Sequence, residues 1–202
     1  NKPGVVLVTS GPGITNCVTG IATAHMDSIP MIVISGQVSR QYVGSDAFQE
    51  ADATGITRPI CKHNFLINDR ESIADTFRKA FIIATTGRPG PVIIDIPKDL
   101  TDPNVKIDFE YKKNIKIRSY KIKTNEDDNK IEEAAKILCS AKKPMIYSGG
   151  GVILSKASKE LIKLTKLLNY PITNTLMGLG AYPSSDNQFL GMLGCLLYTS
   201  PS

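Results

Sequence analysis

Arg40, Asp46, Gln49 and Glu50 crowd into one short segment, Gly36 to Glu50, with Phe48 among them. The segment thus offers a cation, carboxylates, a carboxamide and an aromatic ring. It follows the apolar run Pro30–Ser35 (PMIVIS), which reads as a strand buried on both faces. That places it at the carboxyl end of a sheet, where α/β ligands bind. The alternative is a solvated connection with Phe48 tucked into the core. Arg88 precedes a proline, so its backbone is held extended, and its guanidinium suits bidentate recognition of an anion. Lys98 follows a third buried run, Pro91–Ile96 (PVIIDI), where its charge would attract a carboxylate. Salt bridging is the plain alternative for both. Lys62-His63-Asn64 is a small charged cluster that reads more readily as a surface pair than as a catalytic dyad, and His25 falls within a helical pattern and reads as structural. Ser10-Gly-Pro-Gly13 lies between a strand and a helix start, a place for an anion or simply a tight connection. It lacks the Lys-Ser/Thr of a P-loop and the full G-x-G-x-x-G pattern.

The elements that must position these groups alternate. Val5–Thr9 is a buried strand, Ile14 to about Met26 a helix, and Pro30–Ser35 a strand, which makes a parallel βαβ unit. A helix over Ser72 to about Thr86, stopped by Gly87, precedes the strand Pro91–Ile96. From Pro97 to about Asn125 the apolar periodicity fades. A second α/β unit follows: a helix at Asp127–Ser140, a strand at Pro144–Ser148, a turn at Gly149-Gly150-Gly151, a helix at Ser155–Leu168 and a strand at Pro171–Leu176. The fold class is α/β, with doubly wound parallel sheets in parts of two consecutive domains.

The chain has 202 residues, 42% hydrophobic and 21% charged, which is ordinary for a globular protein. No apolar run reaches membrane-span length, so no membrane role is expected. Cys17, Cys61, Cys139 and Cys195 lie far apart with no C-x-x-C spacing, which argues for free thiols in a reducing compartment over zinc or disulfides. Two histidines and scattered acids build no metal site. The net charge of +5 is concentrated in Lys106–Lys123 and reads as a solvated linker, not a nucleic-acid surface.

Several long stretches, in one order, resemble the large catalytic subunits of acetolactate synthase, a thiamine-diphosphate enzyme family of valine, leucine and isoleucine biosynthesis. They are TSGPG-x-TN (Thr9–Asn16), DS-x-P (Asp27–Pro30), GQV-x-R-x-x-x-G-x-DAFQE (Gly36–Glu50), KHN (Lys62–Asn64), GRPGP (Gly87–Pro91), PKD (Pro97–Asp99) and TLMGLG (Thr175–Gly180). The resemblance runs from residue 1 to about 194. It implies decarboxylative condensation of pyruvate with a second 2-keto acid such as 2-ketobutyrate. It implies thiamine diphosphate, Mg²⁺ and a largely structural FAD in the full-length parent. Gln49 would lie at the reactive end of thiamine, Phe48 would line the substrate channel, and Ser28 would neighbour the aminopyrimidine ring. Ser39, where the family mostly has proline, would border the inhibitor channel together with Lys62, Arg88 and Lys98. Lys98 would also serve pyruvate at the entrance. Arg88, Gly149, Gly150, Gly151, Thr175 and Leu176 would contact flavin.

Residues 1–105 would then be the rear of the pyrimidine-side domain, 106–124 a linker, and 125–194 the front of the central flavin domain. The tail 195–202 (CLLYTSPS) departs from the family and is expected to be non-native. The family's activating Glu and its Mg²⁺–diphosphate motif would lie beyond the two ends, leaving this chain inactive alone. A homodimer or homotetramer with a small regulatory subunit is implied, in the cytoplasm, or in a plastid for a plant or algal parent. The rival readings are another thiamine carboligase or decarboxylase, such as glyoxylate carboligase, and a non-catalytic flavin- or nucleotide-binding α/β protein.

Overall fold

The computed structural model describes residues 2–107, 115, 117, 118, 120 and 127–193. Most of the linker expected over 106–124, and all of the tail expected over 195–202, lie outside these residues. The chain divides into two compact units, 1–123 and 124–202.

In the first unit, β1 (Gly4–Val8), β2 (Met31–Gln37), β3 (His63–Leu66) and β4 (Pro91–Pro97) form one parallel sheet in the order β1-β2-β4-β3. The central strands are continuous apolar runs because both of their faces are covered. Their side chains alternate. Ile32, Val92 and Ile94 point to the face covered by α4 (Ser72–Thr85), where they join Ile67, Ala80, Ile83, Ala84 and Leu100. Val33 and Ile93 point to the other face, with Ile14, Ile21, Ala53 and Cys61. That face carries α1 (Pro12–Asn16), α2 (Val18–Met26) and α3 (Ala53–Thr57).

Three local expectations change. The helix over Ile14–Met26 is broken at Cys17, whose N–H bonds Ile14 O at 3.0 Å in a tighter turn. β1 is an edge strand with Val5 56% and Leu7 76% exposed, so it is not buried on both faces. β3 has only four residues, none of them β-branched, and so gave no strand signal.

In the second unit, β5 (Ile146–Ser148), β6 (Ile172–Asn174) and β7 (Phe189–Met192) form a parallel sheet in that order. The helices are α5 (Asp128–Ser140), α6 (Gly150–Leu154) and α7 (Ser158–Leu168). The glycine turn is thus mostly the start of a short helix: Gly149 is extended, and Gly150 opens α6. The apolar residues of α5 do form a stripe, yet no α5 residue is buried.

Candidate functional site

Parallel strands bring their carboxyl ends to one edge of the first sheet. There the chain collects Ser10–Gly13 after β1, residues 38–52 after β2 and Lys98–Thr101 after β4. Residues 44–50 form a closed loop. The Glu50 carboxylate accepts from Gly44 N and from Ala47 N at 3.0 Å, and these two bonds, Gly44 first, hold it below the usual carboxylate range. Gln49 has φ 61° and its backbone presses on Gly11: a Cβ at Gly11 would stand 2.9 Å from Gln49 O. Phe48 is not in the core; it is 89% exposed at the loop's tip.

Arg40 ties the start of this region to the turn after β4. Its N–H donates to Asp99 Oδ1 at 2.9 Å, and its Nε to Oδ2 at 2.7 Å. The Arg40 amide first, then its guanidinium, lowers the Asp99 pKa. Ser39, Arg40, Gln41 and Asp99 line an open depression of about 370 Å³, next in sequence to exposed Lys98. Gln49, Phe48, Ser39 and Lys98 therefore share one edge.

The other expected residues of this unit do not join them. Ser28 precedes β2, Lys62 precedes β3 and Arg88 precedes β4, so all three lie at the amino edge. A seven-residue strand is about 20 Å long at roughly 3.3 Å per residue. Ser28 and Gln49 of one chain thus stand at opposite edges of the sheet. Ser28 instead meets Arg88. The guanidinium donates from Nε to Ser28 Oγ at 2.8 Å, and from Nη2 to His25 O at 3.2 Å and Met26 O at 3.0 Å. It caps the carbonyl end of α2, where a cation is favoured. Ser28 itself has φ 60° at the turn out of α2.

Lys62 is also committed. Its ammonium donates to Ile83 O and Thr86 O at the end of α4, and to Tyr120 Oη at 3.0 Å. The ammonium expected at a channel mouth is thus hydrogen-bonded to the end of α4. Lys62→Met would leave these acceptors without their charged donor. We expect it to destabilise the first unit by about 2–3 kcal/mol, since bonds to charged groups carry ~1.5–3. Denaturant unfolding measures this, and an unchanged midpoint would show that the ammonium contributes nothing.

In the second unit the expected flavin residues do converge. Thr175 N donates to Ser148 O at 2.9 Å, and Thr175 Oγ1 accepts from Gly178 N at 3.1 Å. A Cβ at Gly150 would meet Met177 at 3.0 Å, and one at Gly178 would meet Ser148 O at 2.6 Å. Those glycines serve close packing of the two strand ends. A Cβ at Gly151 would meet nothing within 4 Å, so open space remains beside that backbone. Leu176, two residues beyond β6, is 68% exposed, and Met177 and Leu179 are partly exposed as well. Among the described residues no group of His, Cys, Asp or Glu could hold a metal ion.

Sequence reasoning missed Gln37, Asp95 and Asp99 as site-shaping groups. The available signal was a charged residue inside an apolar run: Asp95 interrupts PVIIDIP and is 2% exposed. Burial pushes its pKa up to about 6, against the Gln37 amide that donates to it and the nearby Ser35 side chain, whose hydroxyl is turned to Gly36 O at 3.0 Å, with the Asp52 charge adding to the rise.

Comparison with known proteins places this arrangement in context. The thiamine pyrophosphate enzyme N-terminal TPP binding domain matches residues 1–56, and the thiamine pyrophosphate enzyme central domain matches residues 131–201. The chain is 55% identical over 193 residues to the acetolactate synthase large subunit of Haemophilus influenzae, covering 96% of this chain and 34% of that protein. It is 49% identical over 191 residues to the acetolactate synthase isozyme 3 large subunit of Escherichia coli, covering 95% and 33%. A probable acetolactate synthase large subunit of Methanocaldococcus jannaschii is 50% identical over 194 residues, with 96% and 33% covered. The chain thus spans about a third of the length of the curated relatives it matches.

Proposed function

We propose, from the premise that the chain belongs to the thiamine pyrophosphate enzymes of the acetolactate synthase large-subunit kind, that it is a section of a catalytic subunit condensing pyruvate with a second 2-keto acid. The observation that carries this reading is the carboxyl edge of the first sheet. It presents an exposed phenyl ring at Phe48 and the Gln49 carboxamide on a loop clasped at both ends, beside the Ser10–Gly13 turn. Thiamine diphosphate, when bound, supplies an electron sink for decarboxylation of a 2-keto acid. In this reading Gln49 orients the reacting end, Phe48 excludes water from it, and Lys98 draws the pyruvate carboxylate toward the edge. Ser39 and Arg40 border the approach. Mg²⁺ is assigned to no residue of this chain.

Flavin contacts are assigned in the second unit to Gly149, Gly150, Gly151, Thr175 and Leu176 and, separately, in the first unit to Arg88. The support is the open space at Gly151, an approachable backbone, and the exposed Leu176, an apolar surface for a flat ring. Arg88, with Nε and Nη2 engaged, offers its Nη1 side to an anionic portion of such a ligand. A small regulatory subunit and a homo-oligomer of catalytic subunits complete the proposal. Among the described residues no helix is long and apolar enough to cross a membrane.

The experiment uses the full-length parent enzyme. Gln49→Ala is expected to lower acetolactate formation at least tenfold with flavin still bound. Arg88→Ala is expected to lower flavin occupancy, read from absorbance of the purified protein. The reverse pattern sinks both assignments.

A further inference from the structure

Asp95 lies opposite Ser35 in the pairing of β4 with β2, at the carboxyl half of the sheet. Its Oδ2 accepts from Gln37 Nε2 at 3.0 Å, while its Oδ1 is buried with no hydrogen-bond partner among the described residues. A buried carboxylate with an oxygen left bare works against stability. Its use is visible in the group it touches. The Gln37 carboxamide is 7% exposed and makes three contacts. Nε2 donates to Asp95 Oδ2 and to Ala51 O at 2.8 Å, and Oε1 accepts from Val38 N at 2.9 Å. Turned over, that carboxamide would set oxygen against the Ala51 carbonyl and against Asp95, and N–H against N–H. Ala51 O and Asp95, both acceptors, and Val38 N–H, a donor, together admit a single orientation, and the ionised carboxylate is the charged one of the two acceptors. An asparagine at 95 could meet the carboxamide either way and would leave its orientation to Ala51 O and Val38 N–H.

Ala51 is the foot of the loop that carries Phe48 and Gln49. The Glu50 clasp closes the loop on itself, Gly11 lets Gln49 sit close, and Ala51 packs against the Val33–Ile93 cluster with its carbonyl also accepting from Ala53 N at 2.8 Å. The Asp95–Gln37–Ala51 chain adds a hydrogen-bonded route from β4 through the end of β2 to the foot of the loop. We propose that Asp95 is a positioning residue: by fixing the Gln37 carboxamide it pins Ala51 and so sets the loop that presents Phe48 and Gln49. What the loop does there rests on the functional reading above; how it is held does not.

The test has two arms. The first is amide exchange of the 202-residue chain at pH 7.5. Asp95→Leu and Gln37→Met are each expected to speed exchange at Val38, Gly44 and Ala47 about tenfold, with β2 and β4 amides unchanged. The double variant Gln37→Met/Asp95→Leu removes donor and acceptor together, which is milder on folding than orphaning one of them. It is expected to loosen the loop no further than either single change, because the two residues act in series. Asp95→Asn, close in volume, is expected to give a smaller rise of about threefold. An unchanged loop in the double variant, or equal loosening throughout the sheet, overturns the proposal.

The second arm places the double variant in the full-length enzyme, where kcat is expected to fall at least tenfold with KM changed less than threefold. A loosened loop with unchanged kcat supports the positioning role and overturns the catalytic reading of the loop instead.

Discussion

Gly11→Ala is expected to destabilise the first unit by about 3–5 kcal/mol. Gly11 has φ 62° and ψ −114°, a combination outside the regions open to L-residues. Strain of that kind costs of order 1–3 kcal/mol. The added methyl would also stand 2.9 Å from Gln49 O, 3.1 Å from its Cα and 3.2 Å from its carbonyl carbon. These are backbone atoms, so no side-chain rotation relieves the clash. Overpacking of this sort adds roughly 1–3 kcal/mol. The relief route is displacement of the loop, so protease cleavage within 44–50 should rise in parallel. Gly20→Ala is the control. It lies in α2 with nothing within 4 Å of a new Cβ. Helix propensity alone should make that change stabilising, by about 0.5–1 kcal/mol. Denaturant unfolding of the two variants checks the contrast, and a Gly11→Ala loss below 1 kcal/mol would contradict it.

Asp95→Asn is expected to act in the opposite direction. The native pKa of Asp95 is raised from 3.8 to about 6. Between those values the folded chain binds more protons than the unfolded one, so stability falls as pH rises through the window. Below it the penalty is absent; above it the penalty is complete. Two pH units correspond to about 3 kcal/mol as an upper bound. The groups facing Asp95 set the size: burial raises the pKa, Gln37 and Ser35 of β2 lower it, and Asp52, the N-cap of α3, raises it by like charge. Asparagine carries no titrating group. The variant should therefore be about 1–3 kcal/mol more stable than the parent chain at pH 7.5 and nearly equal to it at pH 4. Unfolding midpoints at the two pH values decide this, and a variant less stable at pH 7.5 refutes it. A substitution that stabilises the sheet while loosening its loop is the pattern expected where a residue is kept for activity at a cost in stability.

The sequence was legible where one requirement governed a segment. PMIVIS and PVIIDI must be strands buried on both faces, and the structure pairs them at the centre of the sheet. β3 was illegible because HNFL satisfies its ladder through β4 alone and carries no β-branched residue. The same limit applies to side chains. Arg88 and Lys62 were singled out as cations that could meet ligands, and both are spent, wholly or in part, on helix-end carbonyls. Periodicity cannot foresee that use, because the carbonyls that attract them belong to segments distant in sequence. Phe48 could have been core or surface by type; only the φ of 61° at Gln49 and the clasp of Glu50 turn it outward.

The two edges of the first sheet behave as separate modules of inheritance. What the carboxyl edge presents is written in three short loops, after β1, β2 and β4. What the amino edge fixes is written in the Ser28–Arg88 cap and the Lys62 anchor. Apolar strands about 20 Å long separate the two, with no side-chain hydrogen bond named above running between them. A duplicated gene could then drift in its loops, changing the side chains the carboxyl edge presents, while the opposite edge stays as it was. Selection would see two nearly independent traits in one small sheet, and intragenic suppressors of a lesion at one edge should cluster at that same edge.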